Sequence, residues 1–298
     1  MKRYLRIGLA GVCMALLAGP AVHAQQKPAR TNTMIAALEQ TPIKPLVSDD
    51  LYYFYDMEHP PFNVAGFGDA LDSGKLPKGK PVITRITAYG WELEKNLWQV
   101  KQVLDSGANG VIFPRIETPE QAVAAIRAMR YPQRPGSKDY EPTGLRGWLP
   151  TIAAKRWGVD GDTYMEKADI WGMDPSGELI AILLIESKPG VERVRDILKA
   201  MKDINAKVVV WAGTGDLSMD YCGVGNCEIK GKPTPEAGIF EQGVRKILAA
   251  GKEFGMPVQM NSAVVHDPQT GARVEQGMAA HIKQRMEQGA RMFPNLTK

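Results

Sequence analysis

The stretch ELIAILLIES, residues 178–187, decides the fold of this chain. All seven residues between Glu178 and Glu186 are apolar, which is typical of a strand buried on both faces in a parallel sheet. The next segment, 190–201, carries apolar residues at helical spacing, and AKVVVWAG, 206–213, is a second strand of the same kind. This alternation predicts an α/β fold with a parallel sheet.

The same alternation extends toward the N-terminus. PVITRI, 81–86, precedes an amphipathic helix pattern that stops at Gly107. GVIFPRI, 110–116, leads into Thr118-Pro119-Glu120-Gln121, a capping box with proline at the first helical position. Because polar groups follow the ends of many different strands, a closed barrel is favoured over an open sheet, which would gather them at one switch point.

The first 24 residues have the pattern of a secretory signal peptide: a basic start, a short apolar middle and a small-residue site ending at Ala24. Cleavage would remove Lys2, Arg3 and Arg6 from the 37 basic residues and leave 34, against 33 acidic residues. We therefore expect a periplasmic or secreted protein with no charge argument for nucleic acid and no membrane segment after cleavage.

The remaining chain divides into two predicted regions, and the second contains an insertion. Residues 25–50 read as an N-terminal extension and 51–298 as the barrel domain. A polar insertion at 132–178 reads as a loop with one short helix. Cys222 and Cys227, five residues apart in YCGVGNC, predict a disulfide in an oxidising compartment; a metal site there would lack two further soft ligands.

Charged residues follow several of the predicted strands directly. Each alone is weak evidence, since a single His or Glu after a strand is usually structural. Glu186 and Asp216, however, end successive strands about 5 Å apart and would repel each other unless a divalent cation lay between them. We therefore predict an Mg²⁺, Mn²⁺ or Co²⁺ site. The strand-end residues are Asp56, Glu58, His59, Arg85, Glu186 and Asp216.

Two glycines precede Asp216 in GTGDLS, Gly213 and Gly215. A phosphate loop is one interpretation, but the spacing does not fit a nucleotide fingerprint. We favour backbone amides that approach a small substrate's carboxylate. His59 is then a candidate base, because its ordinary pKa lies near neutrality, and Arg85 a candidate stabiliser of an oxyanion.

Six segments in this order resemble the HpcH/HpaI aldolase/citrate lyase family, the metal-dependent (class II) pyruvate aldolases. The resemblance covers residues 51 to about 260. The segments are YDMEHPPF, PVITR, KQVLDSGANGVIFPRIET, RYP with the later GLRGW, LLIES and AGTGDLS.

The resemblance implies a (β/α)₈ TIM barrel of the phosphoenolpyruvate/pyruvate type that cleaves a 4-hydroxy-2-oxo acid to pyruvate and an aldehyde. It implies Glu186 and Asp216 as metal ligands, His59 as the base and Arg85 as the enolate stabiliser. It also implies that Asp105 raises the basicity of the histidine, and that the Gly215 amide lies near the substrate carboxylate.

Several positions depart from the family pattern. Leu184 stands where the family often has a glutamine that contacts substrate. The first strand has room only in PIKPLV, and the last helix, which the family uses in oligomer contacts, is expected to be missing. A homo-oligomer stays an open expectation. The alternative function is an exported barrel that binds an oxo acid without catalysis.

Overall fold

A computed structural model describes residues 31–40, 43–77, 79–224 and 227–294. The predicted signal peptide lies outside these residues. Eight parallel strands form one curled sheet in the order β1-β10-β9-β6-β5-β4-β3-β2, and β7 and β8 form a separate antiparallel pair. The strands are β1 Leu46–Val47, β2 Tyr53–Asp56, β3 Val82–Arg85, β4 Gly110–Phe113, β5 Ile180–Ile185, β6 Val209–Ala212, β7 Glu228–Ile229, β8 Lys232–Pro233, β9 Val258–Met260 and β10 Ala290–Phe293.

Helices cover the outer face of the sheet and connect successive strands. Among the described residues, none of them combines the length and the apolarity that crossing a bilayer would require. They are α1 Thr33–Leu38, α2 Ser48–Leu51, α3 Val64–Asp72, α4 Leu97–Asp105, α5 Pro119–Met129, α6 Thr151–Trp157, α7 Gly161–Lys167, α8 Lys188–Asp203, α9 Thr214–Cys222, α10 Ala237–Phe254 and α11 Met278–Gln288, with a 3₁₀ helix over Gly90–Lys95.

β5 is buried along its whole length, as the apolar run predicts. Alternate side chains face opposite sides of a strand, so Ile182 and Leu184 point into the barrel, while Leu183 and Ile185 pack against the helices. Each fully buried side chain of this size contributes about 1.5 to 3 kcal/mol. The two-sided burial fixes β5 at the centre of the sheet, and the predicted α/β barrel architecture is confirmed.

The first strand is very short, as predicted: β1 consists of the last two residues of PIKPLV. The barrel therefore starts before residue 51, where the domain boundary was predicted. Part of the predicted extension also belongs to the barrel, because α1 places Met34 and Ile35 in the interior apolar cluster. The prediction of a missing last helix concerns residues beyond β10 and stays a prediction.

The insertion at 132–178 contains two helices, α6 and α7, where one short helix was predicted. Its polar composition misled the prediction, because some of those polar groups are buried in pairs. Arg146 is 2% exposed, and its guanidinium donates to the Asp105 carboxylate and to the Tyr164 hydroxyl. The insertion thus packs on α4 with a partly polar core.

Candidate active site

The carboxyl ends of five neighbouring strands, β2 to β6, meet at one edge of the curled sheet. Asp56 is in register with Arg85 on the adjacent strand, and Ile185 is in register with Ala212. The residues that follow these strands, Glu186 and Gly213, are therefore neighbours too. The structure brings together at one mouth the strand-end groups that the sequence predicts there.

Arg85 is held by two carboxylates. Its Nε and Nη2 donate to the two oxygens of Asp56 at 2.9 and 2.7 Å, and its Nη1 lies 2.7 Å from Glu58 Oε2. Burial opposes ionisation of Asp56, but the hydrogen bonds from Arg85 win and lower the pKa of Asp56. A guanidinium has five N–H donors, so this arrangement fixes Arg85 and leaves N–H groups for a ligand.

His59 follows Glu58 directly and precedes two prolines, which hold the turn away from helical conformation. The imidazole is exposed at the mouth of the barrel. It lies close enough to Asp56 and Glu58 to favour the ionised form of both carboxylates. A basic group with solvent access thus lies beside the Arg85 cluster.

Glu186 is a buried carboxylate whose pKa lies far above its ordinary value. Its side chain is 2% exposed, and one oxygen accepts the Arg115 N–H at 2.9 Å. Burial, together with the nearby negative charges of Asp216 and Glu58, raises the pKa of Glu186 to about 8. An ionised Glu186 therefore needs further positive charge.

We expect the metal-free protein to lose stability as the pH rises from about 4.5 to about 8. The folded state holds the Glu186 proton more tightly than the unfolded state does, so this contribution is complete below the ordinary glutamate pKa and disappears as Glu186 ionises. Urea unfolding in EDTA at several pH values would measure it. In Glu186→Gln the free energy of unfolding should vary less with pH. An unchanged pH dependence in that variant would contradict this assignment.

Asp216 lies in the first turn of α9, which begins directly after Gly213. An added Cβ at Gly213 would be 2.9 Å from Glu186 Oε2, so only glycine leaves the space beside that carboxylate free. Gly215 faces open space. Its amide lies at a helix N-terminus, where anionic groups are stabilised by free N–H groups and the helix dipole.

These residues fit a hard divalent cation. Glu186 and Asp216 would supply oxygen ligands, burial and the neighbouring negative charges raise the pKa of Glu186, and Gly213 keeps the adjoining space clear. Within the described ranges, no preformed group of three His, Cys, Asp or Glu side chains surrounds a common point. Such a cation would therefore keep positions for ligands from outside the protein.

Asp105 is not part of this site. Helices that connect parallel strands run back toward the strand starts, so the last residue of α4 lies at the opposite end of the barrel from His59. Arg146 binds the Asp105 carboxylate at 2.9 Å. Within the described chain the structure does not bring Asp105 to His59; Asp56 and Glu58 are the acids beside that histidine.

Two features of the site were not assigned from the sequence. Glu58, whose role the sequence left open, lies near Asp56, Arg85, His59 and Asp216 at once. Arg115, after β4, has a left-handed backbone (φ 50°), which accompanies its N–H bond to Glu186. The sequence signal for Arg115 is the one that marks the other site residues, a charged side chain close after the end of a buried strand.

Aromatic rings lie beside Arg115. Its guanidinium carbon is 5.7 Å from the ring centre of Tyr89 and 5.4 Å from that of Trp91. Leu184, at the position where the family often has glutamine, lies on the inward face of β5 beneath Gly213. It adds carbon surface to the floor of the mouth and no hydrogen-bonding group.

Comparison with known proteins agrees with this geometry. The family model for HpcH/HpaI aldolase/citrate lyase matches residues 55–285. The chain belongs to this family. Its strand-end cluster, apart from Arg115, was recognisable from the motifs alone, whereas the contacts of Glu58 were not.

Among curated family relatives, 2-keto-3-deoxy-L-rhamnonate aldolase of Klebsiella pneumoniae is 31% identical over 201 residues, which are 67% of this chain and 63% of that protein. The 4-hydroxy-2-oxo-heptane-1,7-dioate aldolase of Shigella sonnei is 31% identical over 53% of this chain and 51% of that protein. The chain thus spans less than two thirds of these relatives' length.

Solved structures share the fold. A family protein from Burkholderia cenocepacia superposes with a TM-score of 0.56 at 26% identity, covering 82% of this chain and 78% of the other. Macrophomate synthase gives 0.54 at 20% identity, covering 95% and 91%. The second similarity concerns the fold alone.

Proposed function

We propose that this protein is a divalent-metal-dependent carbon–carbon lyase that cleaves a 4-hydroxy-2-oxo acid to pyruvate and an aldehyde. The observation that carries the proposal is the meeting of Glu186, Asp216, Arg85 and His59 at one barrel mouth. The names of the aldolase relatives support the reaction class. Mg²⁺, Mn²⁺ and Co²⁺ are the cations that we propose for the site.

Each residue has a defined role in this reaction. Glu186 and Asp216 would hold the cation, which when bound supplies Lewis-acid polarisation of the 2-oxo group. The N-terminus of α9, including the Gly215 amide, binds the substrate carboxylate. His59 takes the proton of the C4 hydroxyl. The C3–C4 bond then breaks, its electron pair enters the pyruvate enolate, and C4 leaves as the aldehyde carbonyl.

Arg85 stabilises the negative charge on the enolate oxygen with its remaining N–H groups. Because Asp56 and Glu58 hold it in place, it need not reorganise as the charge develops. A proton then returns to C3 and completes pyruvate. The carboxylates beside Arg85 position it and do not contact the reacting atoms in this scheme.

We expect His59→Ala to lower kcat for cleavage by about 10² to 10⁴-fold, since it removes the general base. Pyruvate release from a panel of 4-hydroxy-2-oxo acids with Mn²⁺, Mg²⁺ or Co²⁺ measures it. His266→Asn, at a histidine in the loop after β9, is the matched control. If wild type releases no pyruvate but binds an oxo acid, and the binding survives His59→Ala, the protein is a binding barrel instead.

We also propose export to the periplasm or cell exterior. The disulfide between Cys222 and Cys227 supports it, since such bonds persist in oxidising compartments. Export would place the aldolase reaction outside the cytoplasm. Localisation of the full-length chain in cell fractions tests the proposal, and recovery in the cytoplasmic fraction would contradict it.

A further inference from the structure

The wall of the barrel is open on one side of the mouth. β1 pairs with β10 through only two residues, Leu46 and Val47, and the chain then turns through α2 into β2. Along the described chain, β2 pairs with β3 on one edge and with no strand on the other. The short first strand therefore leaves a gap between β2 and the ends of β9 and β10.

A cavity of about 450 Å³ fills this gap. We call it the notch. Its size is in the range of pockets that bind small organic ligands. The side chains that form most of its wall are Tyr52, Phe54, Trp211, Gln259, Met260 and Asn261.

The notch lies beside Arg85, the proposed stabiliser of the enolate. The Phe54 ring centre lies 5.3 Å from the guanidinium carbon of Arg85 and 5.7 Å from the ring centre of Trp211. Phe54 lies on β2, two residues before Asp56. Trp211 lies on β6, two residues before Gly213, which follows the strand. The aromatic pair thus forms a floor across the mouth, between the strand that leads to His59 and the strand that leads to Asp216.

The chemistry of the notch is apolar. The Tyr52 hydroxyl donates to Gln259 Oε1 at 3.1 Å, and the Trp211 indole N–H donates to the Asn261 side-chain oxygen, so these polar groups already have partners. Among the described residues that line the notch, Asp49 carries the one charge. Phe54, at 38% exposed, keeps apolar surface in contact with solvent.

We propose that the notch receives the group attached to C4, and that the aldehyde partner is neutral and apolar or aromatic. This inference rests on the proposed function, because it takes C4 to lie beside His59. An apolar group would cover Phe54 and Trp211 and gain their contact area. A second carboxylate in the same place would meet Asp49, and the described residues that line the notch include no cation to compensate it.

The experiment measures kcat/KM for aldol addition of pyruvate to three aldehydes with Mn²⁺. These are phenylacetaldehyde (apolar), glyceraldehyde (hydroxylated) and succinic semialdehyde (anionic). We expect phenylacetaldehyde to be preferred over each of the others by about 10-fold or more, the discrimination typical of one apolar group in a pocket. A preference for glyceraldehyde or succinic semialdehyde would overturn the inference.

Exchange of the pyruvate methyl protons for deuterium, without aldehyde, reports enolate formation separately. If wild type shows no exchange with any metal, the proposed function fails and the inference with it. If exchange occurs but the apolar aldehyde is not preferred, the notch assignment alone fails. The two failures are therefore distinguishable.

Two variants test the notch itself. Trp211→Ala should lower kcat/KM for phenylacetaldehyde about 10-fold and change pyruvate exchange far less, whereas Trp148→Ala, at an exposed tryptophan elsewhere, should change neither. Asp49→Arg, at an exposed position, should raise the ratio of succinic semialdehyde to phenylacetaldehyde several-fold. An unchanged ratio in a folded Asp49→Arg protein would contradict the assignment even if Trp211→Ala fails to fold.

Discussion

Glu186→Gln is expected to abolish metal-dependent cleavage and, at the same time, to stabilise the metal-free protein above pH 7. The variant keeps an oxygen that can accept the Arg115 N–H but loses the charge that a cation requires. We expect kcat to fall at least about 10³-fold, because Lewis-acid stabilisation of the transition state is worth several kcal/mol. Calorimetric titration with Mn²⁺ should show no binding at the site.

Activity should fall while stability rises in this variant, because the negative charge of Glu186 destabilises the folded protein when no cation is bound. Burial and the charges of Asp216 and Glu58 raise the pKa of Glu186 to about 8. Since one pKa unit corresponds to about 1.4 kcal/mol, removal of the ionisable group should raise the free energy of unfolding near pH 8 by a few kcal/mol. The reference is wild type in EDTA.

Glu166→Gln, at an exposed carboxylate on α7, is the matched control and should change neither quantity. An active Glu186→Gln enzyme would exclude this residue as a metal ligand. A metal-free Glu186→Gln protein less stable than wild type at pH 8 would show that the Glu186 charge is compensated by other groups. Cleavage activity with metal and stability without metal therefore test the metal site independently.

Arg85→Ala is expected to lower kcat by about 10² to 10³-fold, the usual cost of removing one donor to a developing oxyanion. Pyruvate proton exchange should fall by the same factor, because it passes through the same enolate. Asp56 and Glu58 would also lose their shared cation, so the variant should unfold at a lower urea concentration than wild type.

The variant Arg85→Lys keeps the positive charge but loses the hydrogen-bonding geometry of the guanidinium. One ammonium cannot bind both oxygens of Asp56 and also reach Glu58 and the substrate, so we expect only partial recovery. Arg195→Ala, at an exposed ion pair on α8, is the control. Full exchange activity in Arg85→Ala would remove this residue from the mechanism and leave the enolate without an assigned stabiliser.

The segments predicted best were those whose pattern is local. The apolar run of β5 and the Thr118 N-cap that opens α5 depend on nearest neighbours in the chain, and both elements form where expected, although the Gln121 side chain accepts from the Glu117 N–H and not from the Thr118 N–H of a full capping box. The strand-end rule also placed Glu186 and Arg85 correctly at the mouth, because the ends of parallel strands converge in any such barrel.

The failures involved contacts between residues distant in sequence. Asp105 follows a motif, but α4 carries it to the far end of the barrel, where Arg146 from the insertion binds it. The insertion itself looked like loop, because buried polar pairs such as this one are indistinguishable from surface residues in a single sequence. The notch depends on how β1 pairs with β10, which no local pattern encodes.

The amino-acid sequence alone determined the α/β alternation and the order in which charged groups follow the strands, since periodicity and strand ends are local properties of the chain. Only the tertiary structure decided which of those groups share one environment, through the curling of the sheet and the return direction of its helices. Whether the ionised form of Glu186 lowers the stability of the folded protein depends on the charged groups that this packing places beside it.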